Sequence, residues 1–412
     1  MRGMALLLAA WAALLAPPAR SAEAAGDAEL EFWRQRVDRD PEDFKTPGRL
    51  CALYLQAGKE RGEDGFFKQA EEAARIALKR NPRYYGGLLL LAGALSAQHR
   101  FQAAAAAAGE AAKLEPATPD AYGALGDARM EYGDLEGAAE AYARFERGAH
   151  PFERAARRAN FAFASGRLRD ALRELEKALK IAHEEALPHG PQAWCHVRAA
   201  EFERLRGRYE EAQEHCAAAL RFVPGDLAAL IERSKVNLAR GAHAEAVADA
   251  QAVVARRAHP ELVEFLAEAC EAAGLKDEAR AAWARAKELY AEAAASDNPH
   301  DYRNLARYLA GPGGDPGRAA DFARKDLELR KDAYAWDALA WALHRGGKAK
   351  EAAEALRHAL ERLPEDPELL DRAGQILLAA GEAEAGRKLL KRALDLNKHY
   401  PGRARIEALL EK

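Results

Sequence analysis

Two aromatic rings stand beside groups that can form hydrogen bonds in the stretch AYAWDALAWALHR. Tyr334, Asp337, Trp341 and His344 follow one another at intervals of three or four residues. On a helix this spacing keeps side chains on one face. A second polar set comes about thirty residues later: Glu368, Asp371, Arg372 and Gln375. Rings with hydrogen-bonding neighbours suit recognition of a peptide or a sugar.

Trp341 has a second interpretation, because an exposed indole is costly without a partner. The C-terminal stretch RARIEALLEK could cover it instead, since the end of a repeat array needs a cap. Trp194 and Arg198, with Glu201, form a smaller version of the same arrangement. Both tryptophan sites are therefore candidates for partner binding.

A charged group of residues is a second kind of candidate site: four glutamates with basic residues before and after them in the chain. Arg303 and Arg307 follow the glutamates in the chain, and Lys235 precedes them. Salt bridges between the glutamates and these basic residues, from one helical repeat to the next, would explain this acidic stripe without a ligand. Arg303 and Arg307 nevertheless remain candidates for binding. The glutamates recur at helical spacing: Glu261, Glu264, Glu268 and Glu271.

Cysteine and histidine occur as two mirrored pairs, Cys195-His196 and His215-Cys216. Such pairs could form a metal site or a Cys195–Cys216 disulfide. Adjacent helical residues point about 100° apart, however, so four ligands from two such pairs do not converge easily. Buried free thiols are the favoured interpretation, and we expect no metal.

Motifs of catalysis are missing from the sequence. There is no phosphate-binding glycine loop, zinc helix motif or nucleophile elbow, and HEEALPH, from His183 to His189, is interrupted by Pro188. Repeats occupy every stretch long enough for a catalytic domain. We therefore expect neither enzymatic activity nor a cofactor.

These side chains must be positioned by a repeated element. A small residue recurs mostly every 33 or 34 residues and usually lies five residues after a glycine. The small residues are Ala70, Ala104, Ala138, Ala171, Ala212, Ala246, Ala279, Ala319, Ala352 and Ala385. The glycines are Gly133, Gly166, Gly207, Gly241, Gly274, Gly347 and Gly381. The pattern predicts a helix, a tight turn and a second helix, repeated about ten times.

The period and the small positions resemble the tetratricopeptide repeat. The clearest copy carries Tyr122, Leu125, Gly126, Ala138 and Tyr142 at the family's positions. The resemblance covers roughly residues 50–400 and looks closest to long exported bacterial proteins made only of these repeats. It implies an all-α, right-handed α-solenoid with the first helix of each hairpin, helix A, on the concave side. The binding candidates all lie on A helices.

The N-terminus resembles a secretory signal peptide. Arg2 precedes an apolar run from Met4 to Ala16, which Pro17 and Pro18 end. Cleavage is expected after Ser21, or after Ala22 or Ala24, and an uncleaved membrane anchor is the alternative. The predicted divisions are a signal peptide at 1–22, a flanking helix and linker at 23–49, repeats at 50–400, and a capping helix at 401–412.

Composition agrees with a helical array. Of the 412 residues 49% are hydrophobic, 31% are charged and 8% are aromatic, as expected of many helices joined through small contacts. The net charge of −3 argues against a nucleic-acid partner. We therefore predict a periplasmic or secreted scaffold that binds a peptide or helix of an envelope protein in its concave groove. A carrier or recognition module for a small ligand or glycan chain is the alternative.

Overall fold

The computed structural model describes residues 27–361 and 365–411, so the predicted signal peptide lies outside the described residues. The described chain is helical and contains no strand. Its described residues divide into two compact units, residues 27–150 with 329–332, and residues 151–328 with 333–361 and 365–411. In the described residues, no helix has the length and apolar character needed to span a membrane.

The first unit holds one flanking helix and three hairpins. The flanking helix is α1 (Asp27–Arg39), and the first hairpin begins within the segment predicted to be a linker. Its hairpins are α2 (Lys45–Arg61) with α3 (Gly65–Arg80), α4 (Tyr85–Ala97) with α5 (Phe101–Leu114), and α6 (Pro119–Tyr132) with α7 (Leu135–Phe145).

The second unit holds seven further hairpins. The first four are α8 (Pro151–Ala164) with α9 (Leu168–Glu184), α10 (His189–Leu205) with α11 (Tyr209–Phe222), α12 (Leu227–Ala239) with α13 (His243–Arg256), and α14 (Pro260–Ala272) with α15 (Lys276–Ser296). The last three are α16 (Tyr302–Leu309) with α17 (Pro316–Leu329), α18 (Ala333–Arg345) with α19 (Ala349–Leu360), and α20 (Pro367–Ala379) with α21 (Ala383–Leu396). A final helix, α22 (Arg403–Leu410), follows within the segment predicted to cap the array.

The predicted all-α solenoid of ten hairpins is confirmed, and glycine chemistry explains the turns. All seven predicted turn glycines have positive φ, from 72° at Gly207 to 100° at Gly133. Glycine reaches this left-handed region without steric cost. In the second hairpin His99 takes the same place with φ 57°, so one copy makes its turn without glycine.

Small residues let the two helices of a hairpin approach each other. Ala138 and Ala212 are fully buried, and a Cβ on Gly126 would lie 2.5 Å from the ring of Tyr142. The prediction was wrong in the tenth copy, where Ala385 is exposed and its neighbour Gly386 is buried. Gly386 packs against Gly374, because a Cβ there would lie 2.8 Å from the Gly374 carbonyl oxygen. The small residue at the contact lies five residues after the turn glycine, which is position 386 after Gly381. Ala385 lies only four residues after that glycine and therefore faces away from the contact.

The short segment 329–332 belongs to the first unit. The Lys331 N–H donates to the Tyr132 carbonyl at 2.5 Å, and the Arg330 guanidinium lies 5.9 Å from the centre of the Phe101 ring. A Cβ on Gly133 would come within 2.6 Å of the Lys331 backbone. Glycine is thus required at position 133 both for its positive φ and because a side chain there would collide with the Lys331 backbone.

Within the second unit, the loop after the tenth hairpin touches the turn of the fifth. The Asn397 amide donates to the Arg204 carbonyl at 3.4 Å, and the Tyr209 hydroxyl donates to the His399 carbonyl at 3.2 Å. Asn397 is buried, and a Cβ on Gly207 would lie 2.3 Å from its Oδ1. These contacts join residues about 190 positions apart and close the second unit on itself.

Candidate partner-binding site

Three consecutive A helices of the second unit position most of the predicted binding residues. Helix α18 packs against α16 and against α20. Tyr334, Asp337, Trp341 and His344 lie on α18, while α16 carries the predicted arginines and α20 carries Arg372. The structure thus brings the eighth, ninth and tenth copies together around α18.

A buried ion pair forms the base of this site. The Arg372 guanidinium donates to Asp337 through Nη2 at 2.6 Å and through Nε at 3.0 Å. Only 4% of the Asp337 side chain and 14% of the Arg372 side chain are exposed. Burial alone would lower the pKa of Arg372, but Asp337 and Glu368 outweigh it and raise that pKa well above its usual value. Burial also raises the pKa of Asp337, although Arg372 acts to lower it. The two-bond contact joins α18 to α20.

The rim of the site is more open. Glu368 accepts from Arg372 Nη1 at 2.5 Å and from Arg307 Nη2 at 3.4 Å. The side chains of Arg307 and Glu368 are 32% and 38% exposed. Although these two side chains pair with each other, they are exposed enough to meet a partner, whereas Asp337 and Arg372 are buried.

Three rings lie on α18 beside this rim and are partly exposed. The Tyr334 hydroxyl donates to Asp366 at 3.3 Å, and Asp366 caps the N-terminus of α20. The rings of Trp341 and His344 lie 5.2 Å apart, and the Arg345 guanidinium lies 5.9 Å from the Trp341 ring centre. Burial lowers the pKa of His344, with a smaller contribution from Arg345, and favours its neutral form. We call the surface of Tyr334, Trp341, His344, Arg307 and Glu368 the ninth-copy patch.

The C-terminal helix, the alternative cover for Trp341, pairs with α20 through Asp371. Arg405 pairs with Asp371, and the Tyr400 hydroxyl donates to the same carboxylate at 3.1 Å. Ile406 is fully buried and holds α22 in place.

Arg303 occupies a different position from Arg307 although both are on α16. It is 4% exposed, and its Nε donates to the buried Asp326 at 2.9 Å. In the acidic stripe, Glu264 accepts from the Tyr290 hydroxyl at 2.6 Å and Glu271 accepts from the Trp283 indole at 2.8 Å. Arg303 thus lies in the packed interior, whereas Arg307 reaches the surface.

The smaller tryptophan site on α10 is buried. Arg198 is 2% exposed, pairs with Glu201, and donates to Asn160 at 3.2 Å. Its guanidinium lies 4.6 Å from the Phe202 ring centre, and the Phe163 ring stacks on Phe202. The indole nitrogen of Trp194 is buried without a hydrogen-bond partner. Arg198 is therefore held by its own unit, and Trp194 retains one unused donor.

A cavity of about 380 Å³, lined mainly by charged residues, lies beside the turn between α10 and α11 in the second unit. Its charged lining is largely self-compensated, because Asp170 pairs with Arg173 and Glu203 pairs with Arg206. The lining residues are Arg169, Asp170, Leu172, Arg173, Glu176, Glu203, Arg206 and Arg208.

Sequence reasoning missed the acidic partners that hold the arginines. Asp326 lies on a B helix, and Asp249, also on a B helix, holds Arg233 through two bonds of 2.6 and 2.8 Å. Their only sequence signal is an acidic residue within an otherwise apolar B-helix face. All four cysteines are buried free thiols, as favoured, and no group of three or more potential metal ligands was found in the described ranges.

The chain was compared with known families and proteins. Residues 335–376 match the family model described as tetratricopeptide repeat, a range that contains most of α18, all of α19 and most of α20. No curated protein sequence matches the chain.

Three solved structures are among those similar to the chain. PilF of Pseudomonas aeruginosa is 14% identical, with 52% of this chain and 94% of that chain covered and a TM-score of 0.42. Yeast Tom70 is 15% identical, with 93% and 92% covered and a TM-score of 0.36. A tetratricopeptide repeat protein from Parabacteroides merdae is 16% identical, with 68% and 98% covered and a TM-score of 0.42.

The matched hairpin is one of ten with the same construction. Its turn glycine, Gly347, has φ 76°, and its small residue, Ala352, is fully buried, as Ala138 and Ala212 are in earlier copies. Residues 335–376 thus match the tetratricopeptide repeat, and the other described hairpins repeat the construction of the matched one.

Proposed function

We propose that the chain is an exported scaffold that binds an extended peptide or a helix of a partner protein along its A helices. The tetratricopeptide repeat fold indicates a protein–protein interaction scaffold. The finer proposal is supported by the ninth-copy patch, where Trp341 is partly exposed on α18 and the neighbouring A helices carry the partly exposed charges of Arg307 and Glu368. Tryptophan and arginine are the residues that most often dominate binding energy at interfaces.

Export is part of the proposal and rests on the apolar run from Met4 to Ala16. We propose a periplasmic or secreted location and an envelope protein as partner, with no catalysis by the chain. Fractionation of the source cells and N-terminal sequencing of the mature protein test this. A chain that keeps its N-terminus and stays in the cytoplasm would contradict export but not partner binding.

The patch is tested first by finding its partner. A photocrosslinking residue at position 344 captures whatever covers the patch in the source cells, and one at the exposed position 350 on α19 is the control. We expect one protein to be enriched at position 344 only. Enrichment of a glycan or a small molecule there would instead favour the second candidate function, a carrier for such a ligand.

Binding of the captured protein is then measured with Trp341→Ala and with Tyr334→Ala. We expect Trp341→Ala to weaken binding by about thirtyfold, which corresponds to a hot spot of about 2 kcal/mol. The melting temperature should change little because the indole is partly exposed.

Trp336→Ala is the matched control, because Trp336 is on the same helix and stacks on His358 of α19 with ring centres 4.2 Å apart. Trp336 is also partly exposed, so this variant should likewise change the melting temperature little, and it should leave the affinity unchanged. The site is refuted if Trp341→Ala binds like the parent chain.

A further inference from the structure

Two loops of the second unit contact two turns that lie five hairpins earlier in the chain. Asn397, in the loop after the tenth hairpin, donates to the Arg204 carbonyl and the Tyr209 hydroxyl at the fifth turn, at 3.4 and 3.3 Å. Glu365, in the loop after the ninth hairpin, accepts from the Leu168 N–H at the fourth turn, at 3.2 Å. We call these two contacts the seam.

The seam consists of a few polar contacts. Besides the bonds already named, the Tyr209 hydroxyl donates to the His399 carbonyl at 3.2 Å, and Arg392 pairs with Glu365 at 3.3 Å. The Arg392 and Glu365 side chains are 45% and 28% exposed, so water reaches this pair. Each hairpin of a repeat array is stabilised by its neighbours, and hydrogen bonds that are exchanged for water cost little. The seam can therefore open while every hairpin stays folded.

The A helix that ends at the fifth turn places a charge near the start of α20. Arg204 pairs with Glu232 of α12, and these side chains are 13% and 6% exposed. Burial would lower the pKa of Arg204, but Glu232, Glu201 and Asp366 raise it. Asp366 caps the N-terminus of α20, five hairpins after Arg204. With the seam closed, Arg204 thus interacts with a residue beside the ninth-copy patch.

Two adjacent residues join the seam to this patch. Glu365 holds the seam, while Asp366 accepts from the Tyr334 hydroxyl of the patch at 3.3 Å. Asp366 also accepts from the N–H groups of Glu368 and Leu369. Because one peptide bond separates Glu365 from Asp366, a shift of Glu365 away from the fourth turn moves the residue that positions Tyr334 and Glu368. Both of these belong to the patch.

We propose that the seam is a latch that opens when a partner protein binds the ninth-copy patch. This inference rests on the proposed binding function of the patch. An extended segment that runs from α18 onto α20 must pass Asp366, and opening the seam withdraws Arg204 from that path. Coupling of this kind is reciprocal: the factor by which partner binding favours the open seam is the factor by which opening tightens binding.

Distances across the seam test the latch in the full mature chain. Spin labels are attached at Glu211→Cys and Lys391→Cys, two exposed positions on α11 and α21, while the native cysteines are buried. We expect a narrow distance distribution in the free chain and a longer or broader one with a saturating amount of the protein captured at position 344. Labels at Lys180→Cys and Glu211→Cys, on neighbouring hairpins, are the control and should not change. An unchanged distance across the seam in the complex would overturn the proposal.

Asn397→Ala tests the coupling, because it removes both bonds to the fifth turn and leaves the patch intact. We expect it to broaden the distance across the seam without a partner and to tighten binding of the captured protein by about tenfold, since the closed state no longer opposes binding. Asn81→Ala is the matched control. Asn81 also follows a B helix and accepts from the N–H two residues later, at 3.1 Å against 2.9 Å for Asn397, but it lies in the first unit.

Tyr209→Phe is a milder second variant, because it removes only the hydroxyl that bonds to Asn397 and His399. Circular dichroism shows whether each variant is folded. If neither folded variant widens the seam or tightens binding relative to Asn81→Ala, the latch is refuted. If the seam widens while the affinity stays at the parent value, the seam is not coupled to the patch. Both results leave the patch itself standing, because the patch is judged by Trp341→Ala.

Discussion

Gly126, in the middle of α6, shows how closely two helices of a hairpin approach. A Cβ at this position would lie 2.5 Å from the Tyr142 ring. The ring cannot easily move away, since its hydroxyl donates to the buried Asp127 at 2.9 Å. Small residues at these positions are therefore required by packing and not by helix propensity, which glycine lowers.

Gly126→Ala should destabilise the first unit. The substitution gains about 1 kcal/mol of helix propensity but forces an overpacked contact that costs about 1–3 kcal/mol. Gly109→Ala is the matched control, because Gly109 is inside α5 and nothing lies within 4 Å of its added Cβ. We expect a lower urea midpoint for Gly126→Ala and a higher one for Gly109→Ala. A gain in both variants would show that the hairpin has room to spare.

At the scale of elements, the two helices of one hairpin can be predicted from the local spacing of residues. Charged side chains, in contrast, pair with residues of other hairpins. Arg307 reaches Glu368, and Arg372 reaches Asp337, between helices that are not adjacent in sequence. Breaking a buried pair such as Arg372–Asp337 by removing one partner typically costs about 3–5 kcal/mol, because a charge is left unmatched. These pairs align the A helices that carry the ninth-copy patch.

The contact between the fifth turn and the loop after the tenth hairpin is testable with a glycine pair. Gly207 and Gly241 both have positive φ, 72° and 82°, so alanine at either position carries left-handed strain of about 1–2 kcal/mol. Only at Gly207 does the added Cβ also meet another group, the Asn397 side chain; at Gly241 nothing lies within 4 Å.

Gly207→Ala should therefore lose more stability than Gly241→Ala, by about 1–3 kcal/mol. Amide hydrogen exchange should accelerate at residues 397–400 in the Gly207 variant alone, because the Asn397 bonds to Arg204 and Tyr209 are broken. Equal effects of the two substitutions would mean that this contact contributes nothing to stability.

At the scale of the whole molecule, the cysteines report on global unfolding. Cys51, Cys195, Cys216 and Cys270 are all free and buried, and burial raises the pKa of their thiols. A thiol reagent should react with none of them in the native protein and with all four in denaturant. A reducing agent should leave the melting temperature unchanged. A drop in melting temperature on reduction would reveal a disulfide, with Cys195 and Cys216 as the first pair to examine.

The sequence by itself determined the repeating hairpin. Turn glycines and small residues act over distances of a few residues, so their spacing predicts ten helical hairpins, and the tenth small residue was missed only by one position, at Ala385 instead of Gly386. The sequence also indicated which residues could line a binding face, since Tyr334, Trp341 and His344 share a helix face.

Only the tertiary structure decided which of those residues stay available. Arg303 and Arg198 are buried with partners, while Arg307 and Trp341 remain partly exposed, although the sequence treats all four alike. The meeting of His196 and His215, and of Asn397 with Gly207, likewise depends on how whole helices pack. The physical reason is range: turns and small contacts are fixed by neighbours along the chain, whereas burial and charge pairing are fixed by neighbours in space.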